Sequence, residues 1–257
     1  MMLNDLEAVM LALGDKLQHW LTLNGKDGHW EGTQFKAKAD LMAHDFLVKE
    51  LAKISSSIPV VSEEDESTLV GGRPSTYWLI DPIDGTASYI GGFSGYVSQV
   101  ALMEHGQPIL AAIYAPELGL LYSGKQGQGA KLNGEPLEQL THRSSRILID
   151  NYPEPRGFSH KAYEGLNCDK YIESGSLGLK LLRVADGTAD VFVKDVIVRD
   201  WDLAPAELIL REVGGVLTDI QGEWNKYEGS YEVEGIVCTR NHELHCEVFD
   251  WLKDDAK

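Results

Sequence analysis

Cysteines, basic residues and long apolar runs are scarce in this sequence, and each scarcity excludes a class of protein. The three cysteines are an odd number without C-x-x-C spacing, which excludes a disulfide framework and a cysteine-rich zinc site. Lysine and arginine total 23 against 40 aspartates and glutamates, and the net charge of −17 argues against a general binder of nucleic acid polymers or anionic membranes. Asp5 and Glu7 stand where a signal peptide would be basic, and no run approaches the ~18–20 apolar residues of a membrane span. We therefore expect a soluble, cytoplasmic protein.

The pattern of the 257 residues changes part-way along the chain. Helical spacing of apolar residues predicts helices over 3–21, 40–54, 177–185, 202–213 and 242–252. Short apolar runs between turn residues predict strands over 60–61, 77–80, 97–103, 109–114, 120–123, 189–194, 216–219 and 235–239. Glycine-rich stretches predict loops at 25–32 and 124–134. An antiparallel meander thus precedes an alternation of helices and strands, and we predict an α+β subdomain over 1–145 and an α/β subdomain over 146–257.

The densest chemical pattern is the segment WLIDPIDGT at residues 78–86. Pro82 fixes its own φ and biases Asp81 to an extended conformation, so we expect the strand to stop there and the carboxylate to project from its end. Asp84 and the carbonyl oxygen of Ile83 can reach the same cation, and hard cations such as Mg²⁺ take such oxygen ligands. A surface turn explains Asp-Pro-x-Asp-Gly alone about equally well. The apolar run before it and the threonine after it favour a metal site.

Three further carboxylates stand where they could complete such a site. Glu63 follows a short apolar strand, as Asp81 does, so two adjacent strand ends could bring both side chains to one ion. Taken alone, Glu63 fits a solvated acidic loop better. Asp202 and Asp40 each stand at the start of a predicted helix, where a simple N-cap is the alternative interpretation.

Taken together, these motifs resemble those of the inositol monophosphatase superfamily. The similar segments follow the family's order and spacing: AD at 39–40, SEED at 62–65, DPIDGT at 81–86, SGS at 174–176 with the stretch to 190, and WDLAPA at 201–206. The resemblance covers residues 36–220. It implies a layered αβαβα sandwich of the sugar phosphatase type, combining α+β and α/β parts. It also implies a Mg²⁺-dependent, lithium-sensitive phosphomonoesterase that forms a homodimer.

The resemblance further implies a role for each matching carboxylate. Glu63, Asp81 and the Ile83 carbonyl would hold a first Mg²⁺ ion. Asp81, Asp84 and Asp202 would hold a second, bridging ion, and a third ion is expected to bind more weakly.

The same resemblance assigns the catalytic and substrate-binding positions. Thr86 would help to activate the attacking water, paired with Glu63 or Asp40, and Asp40 would also contact the third ion. The amides of Gly85 and Thr86 would receive the phosphate at a helix N-terminus. The remaining substrate contacts are expected from Asp84, Gly175, Ser176 and Asp195.

The sequence carries features of two classes of phosphate ester hydrolase. Ser62 before the paired glutamates, and the segment IYAPELG at 113–119, are similar to the 3′(2′),5′-bisphosphate nucleotidase branch. TASYI at 86–90 stands where that branch has Lys-Glu-Phe, and Asp195 stands where inositol monophosphatases place an inositol-contacting glutamate. We expect adenosine 3′,5′-bisphosphate as substrate, with inositol 1-phosphate or a sugar phosphate as the alternative. A non-catalytic module that binds metal or metabolite is the alternative outside enzymology.

A nucleotide bisphosphate requires a basic group to anchor its second phosphate. The candidates stand in the stretch that leads to Asp202: Lys180, Arg183, Lys194 and Arg199. Each is more often a solvated surface charge.

Overall fold

The computed structural model describes residues 2–22, 28–31, 34–224 and 226–255. Within these ranges the helices are α1 (Met2–Thr22), α2 (Lys38–Ile54), α3 (Thr86–Gly91), α4 (Gly157–Gly165), α5 (Leu177–Ala185), α6 (Asp200–Glu212) and α7 (His242–Asp255). The strands are β1 (Gly28–Glu31), β2 (Gln34–Ala37), β3 (Val60–Ser62), β4 (Thr76–Asp84), β5 (Val97–Glu104), β6 (Gln107–Ala115), β7 (Leu120–Lys125), β8 (Ala130–Leu132), β9 (Glu135–Pro136), β10 (Ile147–Asp150), β11 (Lys170–Glu173), β12 (Val191–Arg199), β13 (Val216–Asp219) and β14 (Glu232–Thr239).

The larger sheet has seven strands in the order β3-β4-β5-β6-β7-β8-β9. From β4 onward every neighbour is antiparallel, which confirms the predicted meander. β3 pairs with β4 in parallel, so the C-terminal ends of these two strands lie side by side.

The smaller sheet has five strands in the order β11-β10-β12-β14-β13. β10 runs parallel to both of its neighbours, whereas β14 runs antiparallel to β12 and β13. β1 and β2 form a separate two-stranded antiparallel hairpin.

Three layers of helices enclose the two sheets. α1 and α2 cover the outer face of the larger sheet, and their fully buried side chains include Leu6, Met10, Ala43, Leu47 and Leu51, spaced three or four residues apart on each helix. α5 and α6 fill the space between the sheets, and α4 and α7 cover the outer face of the smaller sheet. The layers therefore follow the order αβαβα, and the predicted fold class is confirmed.

Several element boundaries differ from the sequence-based expectation. The loop predicted over 25–32 contains β1 from Gly28 onward, and residues 23–27 lie outside the described residues. The turn region predicted over 124–134 contains the short strand β8. The elements between residues 147 and 173 were not predicted, because strands of four residues and a helix with only two buried side chains have little periodic pattern.

The last helix begins as its cap predicts. Asn241 accepts a hydrogen bond through Oδ1 from the backbone N–H of Leu244 at 2.9 Å, and α7 follows directly. No helix within the described residues is long and apolar enough to cross a membrane.

Candidate active site

Strand alternation turns Glu63 and Asp81 to the same side of the larger sheet. Val61 of β3 is paired with Leu79 of β4, and both pack into the core between the two sheets. Asp81, two residues further along β4, and Glu63, which directly follows β3, face the same way. A hydrogen bond joins their side chains. The predicted convergence of two adjacent strand ends is therefore present in the fold.

β4 does not stop at Asp81, so that expectation is wrong. Asp81 pairs with Gln99 and Asp84 pairs with Val97, which sets three steps on β4 against two on β5. The extra residue makes a bulge, and a bulge accommodates Pro82, which has no N–H to give to the sheet. The bulge therefore turns the side chain of Asp84 to the same face of the sheet as that of Asp81.

α6 delivers the third carboxylate from the opposite side. Asp202 lies in its first turn, and its Oδ2 accepts a hydrogen bond from the backbone N–H of Arg199 at 2.9 Å. Arg199, rather than Asp202, is the N-cap, so the simple N-cap interpretation of Asp202 is wrong. Carboxylate oxygens of Asp81, Asp84 and Asp202 all lie within 4.8 Å of one another.

The surroundings of these carboxyl groups oppose their negative charge. Burial raises the pKa of Asp81, Asp84 and Asp202 above the ordinary value. Burial and then the charge of Glu64 raise the pKa of Glu63 to about 7. Carboxylates this close hold their full charge only when a cation neutralises it. The set consists of hard oxygen donors at short spacing, and this chemistry fits Mg²⁺.

The N-terminus of α5 holds Asp84 in place. The backbone N–H of Gly178 donates to Oδ2 of Asp84 at 2.7 Å, and the N–H of Leu177 donates to Oδ1 at 3.3 Å. These amides offset part of the effect of burial on the pKa of Asp84.

Gln99 contacts two of the three clustered carboxylates, and its position was not predicted from the sequence. Its Nε2 lies 3.5 Å from Oδ2 of Asp81 and 3.4 Å from Oδ2 of Asp84. A Cβ at Gly178 would lie 2.5 Å from Oε1 of Gln99, so a larger residue there would displace the Gln99 amide. Only the register of β4 against β5, which no local pattern specifies, would have identified Gln99.

Thr86 and Asp40 form the expected pair. The hydroxyl of Thr86 lies 3.0 Å from Oδ1 of Asp40 and 3.2 Å from the carbonyl oxygen of Ile83. Asp40 lies in the first turn of α2 and is 2% exposed. Of the two partners considered for Thr86, the structure therefore brings Asp40 to its hydroxyl.

Gly85, Gly175 and Ser176 lie together beside this pair. Gly85 has φ +88°, which favours glycine, and a Cβ there would lie 3.0 Å from the Cβ of Ser176. The N–H of Ser176 donates to the carbonyl of Gly95 at 2.7 Å. α3, which begins at Thr86, has only six residues, so phosphate binding by the Gly85 and Thr86 amides stays a prediction.

Asp195 lies outside the carboxylate cluster. It is exposed in the irregular part of β12, where the pairing with β14 shifts between Lys194 and Ile197. Its predicted contact with substrate stays a prediction.

The sequence matches one protein family over nearly its whole length. The sequence profile of the Inositol monophosphatase family covers residues 5–252. The chain belongs to the inositol monophosphatase family. The predicted resemblance is thereby confirmed, and the family generally consists of Mg²⁺-dependent phosphatases.

Two relatives of similar identity to this chain carry different names, one that of a nucleotidase and one that of a Nus factor. The 3′(2′),5′-bisphosphate nucleotidase CysQ of Aggregatibacter actinomycetemcomitans is 32% identical over 203 residues, which are 74% of this chain and 75% of that protein. Nus factor SuhB of Escherichia coli strain K12 is 30% identical over 203 residues, which are 74% of each protein. The solved IMPase of Thermotoga maritima superposes with a TM-score of 0.82 at 23% identity, over 96% of this chain and 95% of that one, and shares its fold.

Proposed function

We propose that the protein is a Mg²⁺-dependent phosphomonoesterase in which water attacks the phosphorus. The observation that carries this proposal is the meeting of Asp81, Asp84 and Asp202 within 4.8 Å, in surroundings that disfavour their charge. Asp81, with Glu63 and the Ile83 carbonyl, would hold one ion, and the three aspartates would hold a second. Asp40 would contact a third. Mg²⁺ bound there lowers the pKa of water and stabilises the charge of the phosphoryl oxygens.

Thr86 and Asp40 are the proposed route for the proton of the attacking water. Because the hydroxyl of Thr86 can donate to Asp40, the oxygen of Thr86 keeps lone pairs that can accept a hydrogen bond from water. The proton of the water then passes to Thr86 as the proton of Thr86 passes to Asp40. Asp40 is buried, so bulk water does not compete for this carboxylate.

Among the four basic candidates for a second phosphate anchor, the two arginines each pair with a carboxylate. Arg183 bonds to Asp186 at 2.8 Å, and Arg199 bonds to Glu232. Against the effect of burial, the charge of Arg199 also lowers the pKa of Asp202, so Arg199 lies near the carboxylate cluster.

Of the two lysines, Lys180 is buried and Lys194 is partly exposed. Lys180 is 2% exposed, its ammonium donates to the carbonyl of Gly175, and its charge interacts with Asp84 and Lys194. Burial lowers the pKa of Lys180 to about 8, so it still carries charge at neutral pH. Lys194 is 24% exposed in its side chain and lies 3.3 Å from Asp150. We propose that Lys194 anchors the second phosphate and that Lys180 fixes Gly175.

A substrate panel tests both levels of the proposal. Phosphate release from adenosine 3′,5′-bisphosphate, inositol 1-phosphate and fructose 1,6-bisphosphate is compared by kcat/KM, with Mg²⁺ and with EDTA. We expect Mg²⁺-dependent release, highest with the nucleotide. Lys194→Met should raise KM for the nucleotide and leave that for inositol 1-phosphate unchanged. Preference for inositol 1-phosphate or a sugar phosphate would support the polyol alternative.

A non-catalytic metal- or metabolite-binding module is the second candidate. It is supported by relatives that are named Nus factor and not phosphatase. Mg²⁺ binding without release of phosphate from any ester of the panel would support it. Lithium inhibition, a homodimer, a cytoplasmic location and the two-subdomain division at residue 145 are further proposals. Adding lithium to the same assay and measuring the mass in solution test the first two.

A further inference from the structure

We propose that His44 is a positioning residue for the metal site: it holds the turn that carries Glu63 through a hydrogen bond to Ser62. The inference rests on the proposed function, because it concerns the affinity of the site for Mg²⁺. His44 matches no motif considered in the sequence and takes no part in the chemistry described above.

The contact is short and joins two different elements. Nδ1 of His44, on α2, lies 2.8 Å from Oγ of Ser62, the last residue of β3. Strand alternation explains why Ser62 is available: Val60 packs on the side of α1 and α2, and Ser62, two residues later, faces the same way. Glu63 therefore points to the carboxylate cluster, while the residue before it points to the helix.

Ser62 forms hydrogen bonds that hold the turn after β3. It is fully buried, and its Oγ accepts a hydrogen bond from the N–H of Glu64 at 3.2 Å. Its own N–H donates to Oγ1 of Thr68 at 3.2 Å, and Thr68 donates to the carbonyl of Asp65 at 2.6 Å. The hydroxyl of Ser62 therefore bonds both to the backbone N–H of Glu64, the residue after Glu63, and to His44 on α2.

α2 holds both strand ends of the site. One helical turn before His44, Asp40 bonds to Thr86 just after β4. The His44–Ser62 bond does the same at the end of β3. The pairing of β3 with β4 sets Glu63 beside Asp81, and the two bonds attach both strand ends to α2. Loss of the bond at β3 would leave Glu63 on a turn with greater freedom, and residues that orient metal ligands typically change metal affinity about 10- to 100-fold.

A cleft lies beside the imidazole of His44. It has a volume of about 310 Å³ and is lined by His44, Val48, Asp65 and Thr68 together with apolar side chains of α2 and the chain leading into β3. Removal of the imidazole would enlarge this cleft beside Ser62. Added imidazole could then occupy the position of the lost side chain.

The test compares His44→Ala, His44→Asn and the control Val48→Ala, which alters the same cleft without touching the His44–Ser62 bond. Mg²⁺ binding is measured by titration calorimetry, and the Mg²⁺ dependence of phosphate release is measured separately. We expect His44→Ala to weaken Mg²⁺ binding about tenfold with kcat at saturating Mg²⁺ retained. His44→Asn, whose amide can reach Ser62, and imidazole added to His44→Ala should both restore binding. Val48→Ala should bind Mg²⁺ as the wild type does.

Two results would overturn the inference. One is wild-type Mg²⁺ affinity in His44→Ala. The other is equal loss of affinity in His44→Ala and Val48→Ala without rescue by imidazole, which would assign the effect to packing. Failure of the proposed function is distinguishable, because the wild-type protein itself would then lack Mg²⁺ binding or phosphate release.

Discussion

The carboxylate of Asp202 can be replaced by an amide with little change of shape. In Asp202→Asn, the side-chain oxygen can still accept the hydrogen bond that Arg199 donates at 2.9 Å, so the start of α6 is preserved. The charge is removed, and with it a charged ligand of the proposed second ion. We therefore expect phosphate release to fall more than tenfold, which corresponds to at least ~1.4 kcal/mol of activation free energy.

The same substitution should stabilise the metal-free protein. Two carboxylates within 4.8 Å repel each other by roughly 3 kcal/mol at the effective dielectric constant of about 20 that suits protein sites. Asp202 has two such neighbours, Asp81 and Asp84. The repulsion is an upper limit to the gain, because the neighbours can bind a proton instead. An increase of 1 kcal/mol raises Tm by roughly 2–4 °C in a chain of this size.

The assay pairs thermal unfolding in EDTA with phosphate release in Mg²⁺. Glu234→Gln, at an exposed position of β14, serves as the matched control and should change neither quantity. A lower Tm for Asp202→Asn in EDTA would refute the account of repulsion within the cluster. More than a tenth of wild-type activity would refute the assignment of the second ion.

Three further substitutions test the proton route and the support of the site. Thr86→Val removes the hydroxyl that faces Asp40, and kcat should fall about 100-fold or more with Mg²⁺ binding retained; a kcat near that of the wild type would contradict the route. Burial raises the pKa of Glu207 from 4.5 to about 7, so its contribution to stability is present below pH 4.5 and is lost as the pH rises through about 7. In the wild type, Glu207 should therefore lower the free energy of unfolding by about 3 kcal/mol as the pH rises between those values, and Glu207→Gln should lack this decline. Urea unfolding of both proteins in EDTA measures it. Parallel pH profiles of the two free energies would contradict the prediction. Arg73 pairs with the fully buried Asp200 at the start of α6, and Arg73→Ala should lower the free energy of unfolding by about 3 kcal/mol or more; denaturant unfolding measures it, and a change below about 1 kcal/mol would count against a buried pair.

The candidate metal-binding carboxylates stand in local patterns, and the resemblance to the inositol monophosphatase superfamily combined them into one proposed ligand set. A short apolar strand before Glu63 and another before Asp81 indicate two strand ends, and the structure places those strands side by side in parallel. The helix that carries Asp202 was predicted from its own spacing, two residues late. Residues whose position in the fold follows from the adjacent residues of the sequence could therefore be proposed from the sequence.

The supporting residues could not be found in this way. Gln99 reaches the carboxylates because of the pairing of β4 with β5, and His44 meets Ser62 because α2 packs over β3. Lys180 has the sequence context of a surface charge, but the packing of α5 between two sheets buries it. These contacts depend on tertiary packing, which overrides local pattern. The bulge at Pro82 is a similar case, because proline there could equally end a strand.

The position of the metal is the central claim, and anomalous diffraction from crystals grown with Mn²⁺ in place of Mg²⁺ tests it most directly. The account predicts at least one strong anomalous peak among the carboxylates of Asp81, Asp84 and Asp202. Crystals of protein that releases phosphate with Mn²⁺, but with no peak among those three side chains, would contradict it.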